Sequence, residues 1–232
     1  GYTRDHLLST GMAIQNSSDG SRYYDRFRNR VMFPILDVAE NVIAFGGRVL
    51  DDSKPKYVNT SDTPAFKKSR NLFALNFAKA TGAKELILCE GYMDVITLHA
   101  AGFNMAVATL GTAITAEQAR LMKKYTNKVV ISYDSDEAGQ KAANRAIGLL
   151  EEAGIDAKVL KMTGAKDPDE YIKKFGADAF RSVVEESRGK FEFFLDGIRA
   201  KYDVSNPAEK IKAVADVAMF IAGIPSNVER DI

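Results

Sequence analysis

Residues 85–94, ELILCEGYMD, and 128–139, KVVISYDSDEAG, share one grammar: a short apolar run that ends abruptly in carboxylates. Consecutive aliphatic residues suit a strand buried on both faces, and the acidic and glycine residues that follow suit a turn into a helix. Outward from these stretches, apolar runs at Glu85–Cys89, Met105–Ala108, Lys128–Tyr133 and Asp156–Leu160 alternate with helical patterns at Met93–Ala101, Ala116–Tyr125 and Asp136–Ala153. That alternation predicts an α/β fold with a parallel sheet and right-handed crossovers. In the helix from Asp136, the residues Ala138, Ala142, Ala146, Leu149 and Ala153 recur at threes and fours, the expected buried stripe. Gly154 follows as a C-terminal cap.

Upstream the pattern is antiparallel. Gly1–Gln15 reads as the end of a helical region, and Asn16–Ser21 as a polar loop. Arg30–Val38 and Asn41–Leu50 are β-branched and aromatic runs about a short polar turn, a predicted hairpin. Gly46-Gly47 would permit a bulge or a close backbone approach. Pro55–Thr60 continues extended, and Asn71–Ala80 is helical in period. Downstream, Asp167-Pro168-Asp169 reads as a turn into a helical tail that breaks at Pro207 and stops at Pro225. Phe191, Phe193 and Phe194 are expected to pack that tail. The missing initial Met and the mid-pattern opening suggest a piece of a longer protein.

A hydrophobic fraction of 46% and a charged fraction of 27% over 232 residues are those of an ordinary globular chain. No run of eighteen apolar residues and no signal peptide is present, so a cytoplasmic chain is expected. The single cysteine, Cys89, excludes an internal disulfide and sits in an apolar run, which suits a buried strand residue. One cysteine and two histidines, His6 and His99, make no zinc site. The net charge of +1 conceals an asymmetry: residues 1–70 carry eleven Lys and Arg against eight Asp and Glu, the remainder 21 against 23. A cationic front before an acidic back would suit nucleic acid in front of a metal site.

The functional crevice of an open parallel sheet lies at the carboxyl ends of its strands. Three strand exits carry acids here: Glu90 with Asp94, Asp134 with Asp136, and Asp167 with Asp169. Gly91 would let the chain bend sharply after Glu90. Clustered carboxylates become favourable when a hard divalent cation sits among them, because Mg²⁺ takes oxygen ligands and keeps waters for substrate phosphates. The bland alternative stays open: aspartates after strands are ordinary helix N-caps, and Asp136 would serve as one. In front, Arg22, Arg26, Arg28 and Arg30 interleave with Tyr23, Tyr24 and Phe27. Arginine forks suit phosphates and aromatic faces suit bases, although a solvated edge with its aromatics turned inward reads equally well.

The set EGYMDV at 90–95, ATLGTA at 108–113 and DSDxAG at 134–139 resembles the Toprim module of bacterial DNA primases. YDRFRNRVMFPI at 24–35, PKYVN at 55–59 and DPDEY at 167–171 resemble the same family, in family order, from about Tyr23 to Phe180. The resemblance implies a Rossmann-like Toprim sheet flanked by helices, with a smaller mixed α+β N-terminal subdomain and a helical C-terminal tail. The corresponding spans are 1–80 for a basic subdomain, 81–178 for the catalytic Toprim domain and 179–232 for the tail. It implies catalytic Glu90, Asp134 and Asp136, with Asp94, Asp167 and Asp169 as further metal positions. Arg28, Arg48, Lys56, Asn59 and Lys68 fall at nucleotide- or template-binding positions. The implied activity is synthesis of short RNA primers on single-stranded DNA from ribonucleoside triphosphates, with Mg²⁺ or Mn²⁺ as cofactor. Zinc would belong only to an N-terminal domain outside this chain, and the replicative helicase would be met through a C-terminal domain also outside it. The fragment is expected to be monomeric, cytoplasmic and replisome-associated.

Two other classes compete. A topoisomerase or nuclease would use similar carboxylates, yet a topoisomerase needs a tyrosine nucleophile on a large separate domain, for which 232 residues leave no room. A non-catalytic acidic-sheet protein would use the carboxylates as caps and bind its partner without divalent ions. No Walker A pattern is present, which argues against an ATP-driven motor in the chain.

Overall fold

The Thr3 hydroxyl accepts from the His6 backbone N–H and opens helix α1 (Arg4–Ser9) in this computed structural model, which describes residues 1–224. Helix does not continue to Gln15 as expected. The chain turns at Thr10–Gly11, and strand β1 (Ala13–Gln15) pairs antiparallel with β2 (Tyr23–Asp25). Strands β3 (Val31–Leu36), β4 (Val42–Arg48) and β5 (Tyr57–Asn59) then form the predicted antiparallel sheet, in that order. Its irregularity falls between Ile35 and Leu36, not at the glycine pair. Gly46 and Gly47 serve close approach instead. A Cβ at Gly46 would stand 2.6 Å from the Tyr92 ring, and one at Gly47 2.8 Å from the Phe27 ring.

After a 3-10 turn at Lys68–Arg70 comes helix α2 (Leu75–Ala80), four residues later than the periodicity of 71–80 suggests. The backbone of Phe73 exchanges hydrogen bonds with Ala108, at 2.9 and 3.2 Å, and this draws the preceding residues into extended form. From there the elements alternate as expected: β6 (Leu86–Cys89), α3 (Tyr92–Ala100), β7 (Ala106–Ala108), α4 (Ala116–Lys123), β8 (Lys128–Ser132), α5 (Glu137–Glu152), β9 (Asp156–Val159) and α6 (Pro168–Glu185). The four strands are parallel in the order β7-β6-β8-β9. From β6 the chain crosses outward to β7, then returns to place β8 on the other side of β6. The strand order therefore reverses between β6 and β8, where ligands gather in such sheets. Both central strands are buried, β6 throughout and β8 from Val129 on, as continuous aliphatic runs require.

Two expectations are corrected in this region. The buried face of α5 is Gly139, Ala143, Ala146, Ile147 and Leu150, rotated from the stripe expected at 138, 142, 146, 149 and 153. Ile147 and Leu150 together offer more apolar area than Leu149, the one large residue of the expected stripe, and that decides the face. Asp167-Pro168-Asp169 is no free turn: Asp167 caps α6 with its side chain on the Glu170 N–H at 2.8 Å, and Pro168 occupies the first helical turn. Helix α6 is interrupted at Gly176 and runs on to Glu185.

Residues 1–187 form one unit and the residues from Arg188 a second. In the second, α7 (Lys190–Lys201) and α8 (Pro207–Ala222) make a helical hairpin. Phe194 stacks on Phe220 with ring centroids 4.2 Å apart, and Phe191 lies 5.9 Å from the same ring. The helical tail breaks just before Pro207, as expected, and Pro207 opens α8 behind the Asn206 cap. Pro225 lies outside the described residues. Among those residues, no helix is long and apolar enough to cross a membrane.

Candidate metal and nucleic-acid site

Glu90 leaves β6 and Asp134 leaves β8, two neighbouring parallel strands paired in register up to Cys89 and Ser132. The Asp134 backbone N–H donates to Glu90 Oε1 at 3.3 Å, so the two exits meet. Gly91 has φ −132° and ψ 165°, ordinary extended backbone, so the sharp bend expected there is absent. The tight place is elsewhere. A Cβ on Gly139 would stand 2.0 Å from the Asp134 carbonyl oxygen, so the first turn of α5 presses on the backbone that presents Asp134. Asp136 caps that helix, its Oδ1 accepting from the Gly139 N–H at 2.8 Å. The cap reading thus holds for Asp136, one of whose oxygens is engaged.

The carboxylates act on one another. Burial, then Asp167 and Asp136, raise Asp134, against an opposing pull from Lys166. Burial, then Asp134 and Asp136, raise Glu90, although the Asp134 N–H pulls it down. Asp94, on the first turn of α3, is pushed to about 7 by burial and then by Asp167 and Asp134. None of Glu90, Asp94, Asp134 and Asp136 forms a salt bridge among the described residues. Asp169 differs. Burial lifts it, yet hydrogen bonds from Lys173 and Thr97 and the charges of Lys173 and Arg48 hold it below the usual range. Its Oδ2 lies 2.6 Å from Lys173 Nζ and its Oδ1 accepts from the Thr97 hydroxyl at 2.5 Å. Asp167 caps α6 and lies 3.6 Å from Lys166.

No three His, Cys, Asp or Glu side chains stand grouped to hold a metal ion among the described residues. Three of the carboxylates take backbone N–H partners: Glu90 on Asp134, Asp136 on Gly139 and Asp167 on Glu170. The donor set nevertheless fits a hard divalent ion. It is all oxygen, none of Glu90, Asp94, Asp134 and Asp136 forms a salt bridge among the described residues, and burial, with mutual repulsion second, raises three of its carboxyls.

Asp94 allows a direct check. Its folded pKa of about 7 exceeds its ordinary 3.8, so its contribution to stability is fully present below about pH 4 and is lost as pH rises through 7. Asp94→Asn should therefore stabilise the metal-free protein at pH 8 by about 2 kcal/mol, roughly 4–8 °C in melting temperature, and by much less at pH 5. Equal melting of the two proteins at pH 8 would rule out a buried charge at this position.

The basic residues divide. Arg30 donates to the carbonyls of Pro55 at 2.7 Å, Lys56 at 3.1 Å and Gly47 at 3.4 Å, and Arg26 Nε donates to Asn59 O at 2.9 Å. Arg30 braces β4 and the loop before β5, and Arg26 braces the end of β5. Arg22 pairs with Asp19 at 3.0 Å. Arg28 lies over the exposed Tyr24 ring at 5.0 Å, and Arg48 over Tyr57 at 5.7 Å with its Nε buried and without a partner. Lys56 is exposed. Lys67 pairs with Asp62 at 3.7 Å, whereas Lys68 has no ion pair among the described residues. The turn that carries Lys68 is pinned by Gln118 Nε2, which donates to Lys68 O at 3.0 Å and Asn71 O at 2.8 Å. Asn59 faces inward: its Nδ2 donates to Leu110 O at 2.9 Å and its Oδ1 accepts from the Tyr92 hydroxyl. Gln118 and Tyr92 escaped the sequence reading, since a Gln within a helix and a Tyr within a motif carry no pattern of their own. His99 bonds the Ala106 carbonyl, and burial pushes the Cys89 thiol far up.

Three family models match the chain. Residues 1–79 match the N-terminal domain of the DNA primase catalytic core, 87–172 a Toprim-like domain, and 191–232 the DnaB-helicase binding domain of primase. The crystallised Escherichia coli primase catalytic core is 36% identical, with a TM-score of 0.82 over 98% of this chain and 74% of that one. The chain belongs to the bacterial DNA primase family. Within the family it is 46% identical to the DNA primase of Clostridium acetobutylicum, over 100% of this chain and 38% of the relative. With that of Escherichia coli K12 the identity is 38%, over 98% and 40%. It thus spans about two fifths of the length of these curated relatives. A DnaG primase catalytic domain bound to ssDNA matches at 36% identity and a TM-score of 0.82, over 98% of this chain and 72% of that one. The sheet β7-β6-β8-β9 with its helices is the Toprim fold of that family. The helicase-binding match falls inside this chain, on the tail, where the sequence had placed that contact outside it.

Proposed function

We propose that this chain is the polymerase core of a replicative primase, joining ribonucleoside triphosphates into short RNA primers on single-stranded DNA. The observation that carries it is the meeting of Glu90 and Asp134 at the strand-order reversal, neither of them in a salt bridge among the described residues. Glu90, Asp134 and Asp136 would hold Mg²⁺ or Mn²⁺, with Asp94, Asp167 and Asp169 as further metal positions. Such ions would supply Lewis-acid stabilisation to an attacking 3′-hydroxyl oxygen and to a leaving pyrophosphate. Glu90, whose carboxyl is raised, is placed to take up the hydroxyl proton. Arg28, Arg48, Lys56 and Lys68 meet nucleotide and template phosphates, and the stacked Tyr24 and Tyr57 offer faces to bases.

In this scheme residues 1–80 face nucleic acid, 81–178 carry the chemistry and 179–232 form the tail. The tail would contact the replicative helicase, a partner in keeping with its family match. The chain acts as a monomer in the cytoplasm, at the replication fork. The test is primer synthesis on single-stranded DNA with Mg²⁺, comparing wild type with Asp134→Ala. Activity confined to the wild type supports the proposal, and equal rates overturn it.

A further inference from the structure

We infer that Asn59 and Tyr92 are positioning residues, forming a latch that sets the front sheet at its working distance from the carboxylates. The kinetic part of this inference rests on the polymerase function proposed above.

Asn59 ends β5, the strand that follows Lys56 and begins with Tyr57. Its side-chain amide is engaged at both ends, by Leu110 O and by the Tyr92 hydroxyl, and its own carbonyl accepts from Arg26. Tyr92 opens α3, two residues after Glu90 and two before Asp94. Leu110 lies two residues beyond the end of β7. One asparagine therefore ties the front sheet to the exits of two strands of the parallel sheet.

The surroundings are built for this. Tyr92 is 4% exposed and packs among Phe33, Tyr57 and Phe73, with ring centroids at 5.7, 6.1 and 4.7 Å. Gly46 leaves the space its ring edge occupies. An amide engaged at both ends is poorly placed to read a base or a phosphate. Removing either partner leaves a part-buried polar atom unpaired, which favours movement of the strand over a vacant bond. A displacement of about 1 Å between binding and reacting groups can cost on the order of 100-fold in rate.

The experiment uses Tyr92→Phe, which removes one oxygen, with Asn59→Ala and the double variant. Primer synthesis, single-stranded DNA affinity and amide hydrogen exchange at residues 57–60 and 109–112 are read for each. The latch predicts that each single variant lowers kcat by about tenfold or more, with template Kd and nucleotide KM within about twofold. The double variant should be no slower than the slower single, and exchange should quicken in both segments. Asn59→Ala weakening template or nucleotide binding about tenfold while Tyr92→Phe keeps its kcat would make Asn59 a direct ligand and overturn the latch. Should Asn59→Ala fail to fold, Tyr92→Phe decides alone. Should the wild type make no primers, the proposed function falls, and the latch is judged on exchange: unchanged exchange in Tyr92→Phe overturns it.

Discussion

Asp134→Ala is expected to slow primer synthesis by at least about 1,000-fold, about 4 kcal/mol of transition-state stabilisation. Asp134 stands where the sheet offers most: its backbone bonds Glu90, and Asp136 and Asp167 bear on its carboxyl. Its removal takes a central oxygen donor from the proposed ion site. Folding should not suffer. The metal-free variant loses like-charge repulsion and should melt no lower than the wild type, and its template affinity should hold within about twofold. A parallel loss of melting temperature and of DNA binding would assign Asp134 to the fold instead.

Gly139→Ala is expected to cost about 100-fold in rate and to lower stability by about 2–4 kcal/mol. Alanine normally favours a helix over glycine by about 1 kcal/mol, so the predicted sign runs against helix propensity. The reason is a collision with backbone: the new Cβ would meet the Asp134 carbonyl oxygen at 2.0 Å and its carbon at 2.8 Å. Neither can rotate away, so either α5 retreats or Asp134 moves from Glu90. A variant at least as stable and as active as the wild type would show that this contact does not hold Asp134.

Much of this architecture is legible in the sequence because buried parallel strands announce themselves. Runs such as Leu86–Cys89 and Val129–Ser132 have no polar alternative, and their carboxylate exits follow directly. The errors share a physical origin in contacts between segments remote in sequence. Phe73 is extended because Ala108 pairs with it, and periodicity within 71–80 carries no sign of that partner. The face of α5 is set by the size of Ile147 and Leu150, while counting alanines selects another. Arg26 and Arg30 look like phosphate ligands in a string of arginines, yet the carbonyls they brace lie on β4 and β5 and the intervening loop. Asn59 is likewise resolved only by Tyr92 and Leu110, 33 and 51 residues away.

The most direct measurement is anomalous scattering from crystals of this chain soaked in Mn²⁺. Density should lie between the exits of β6 and β8, within roughly 2.5 Å of oxygens of Glu90 and of Asp134 or Asp136. Saturating Mn²⁺ that leaves those oxygens bare, or that binds only elsewhere, would contradict a shared ion as the basis of activity.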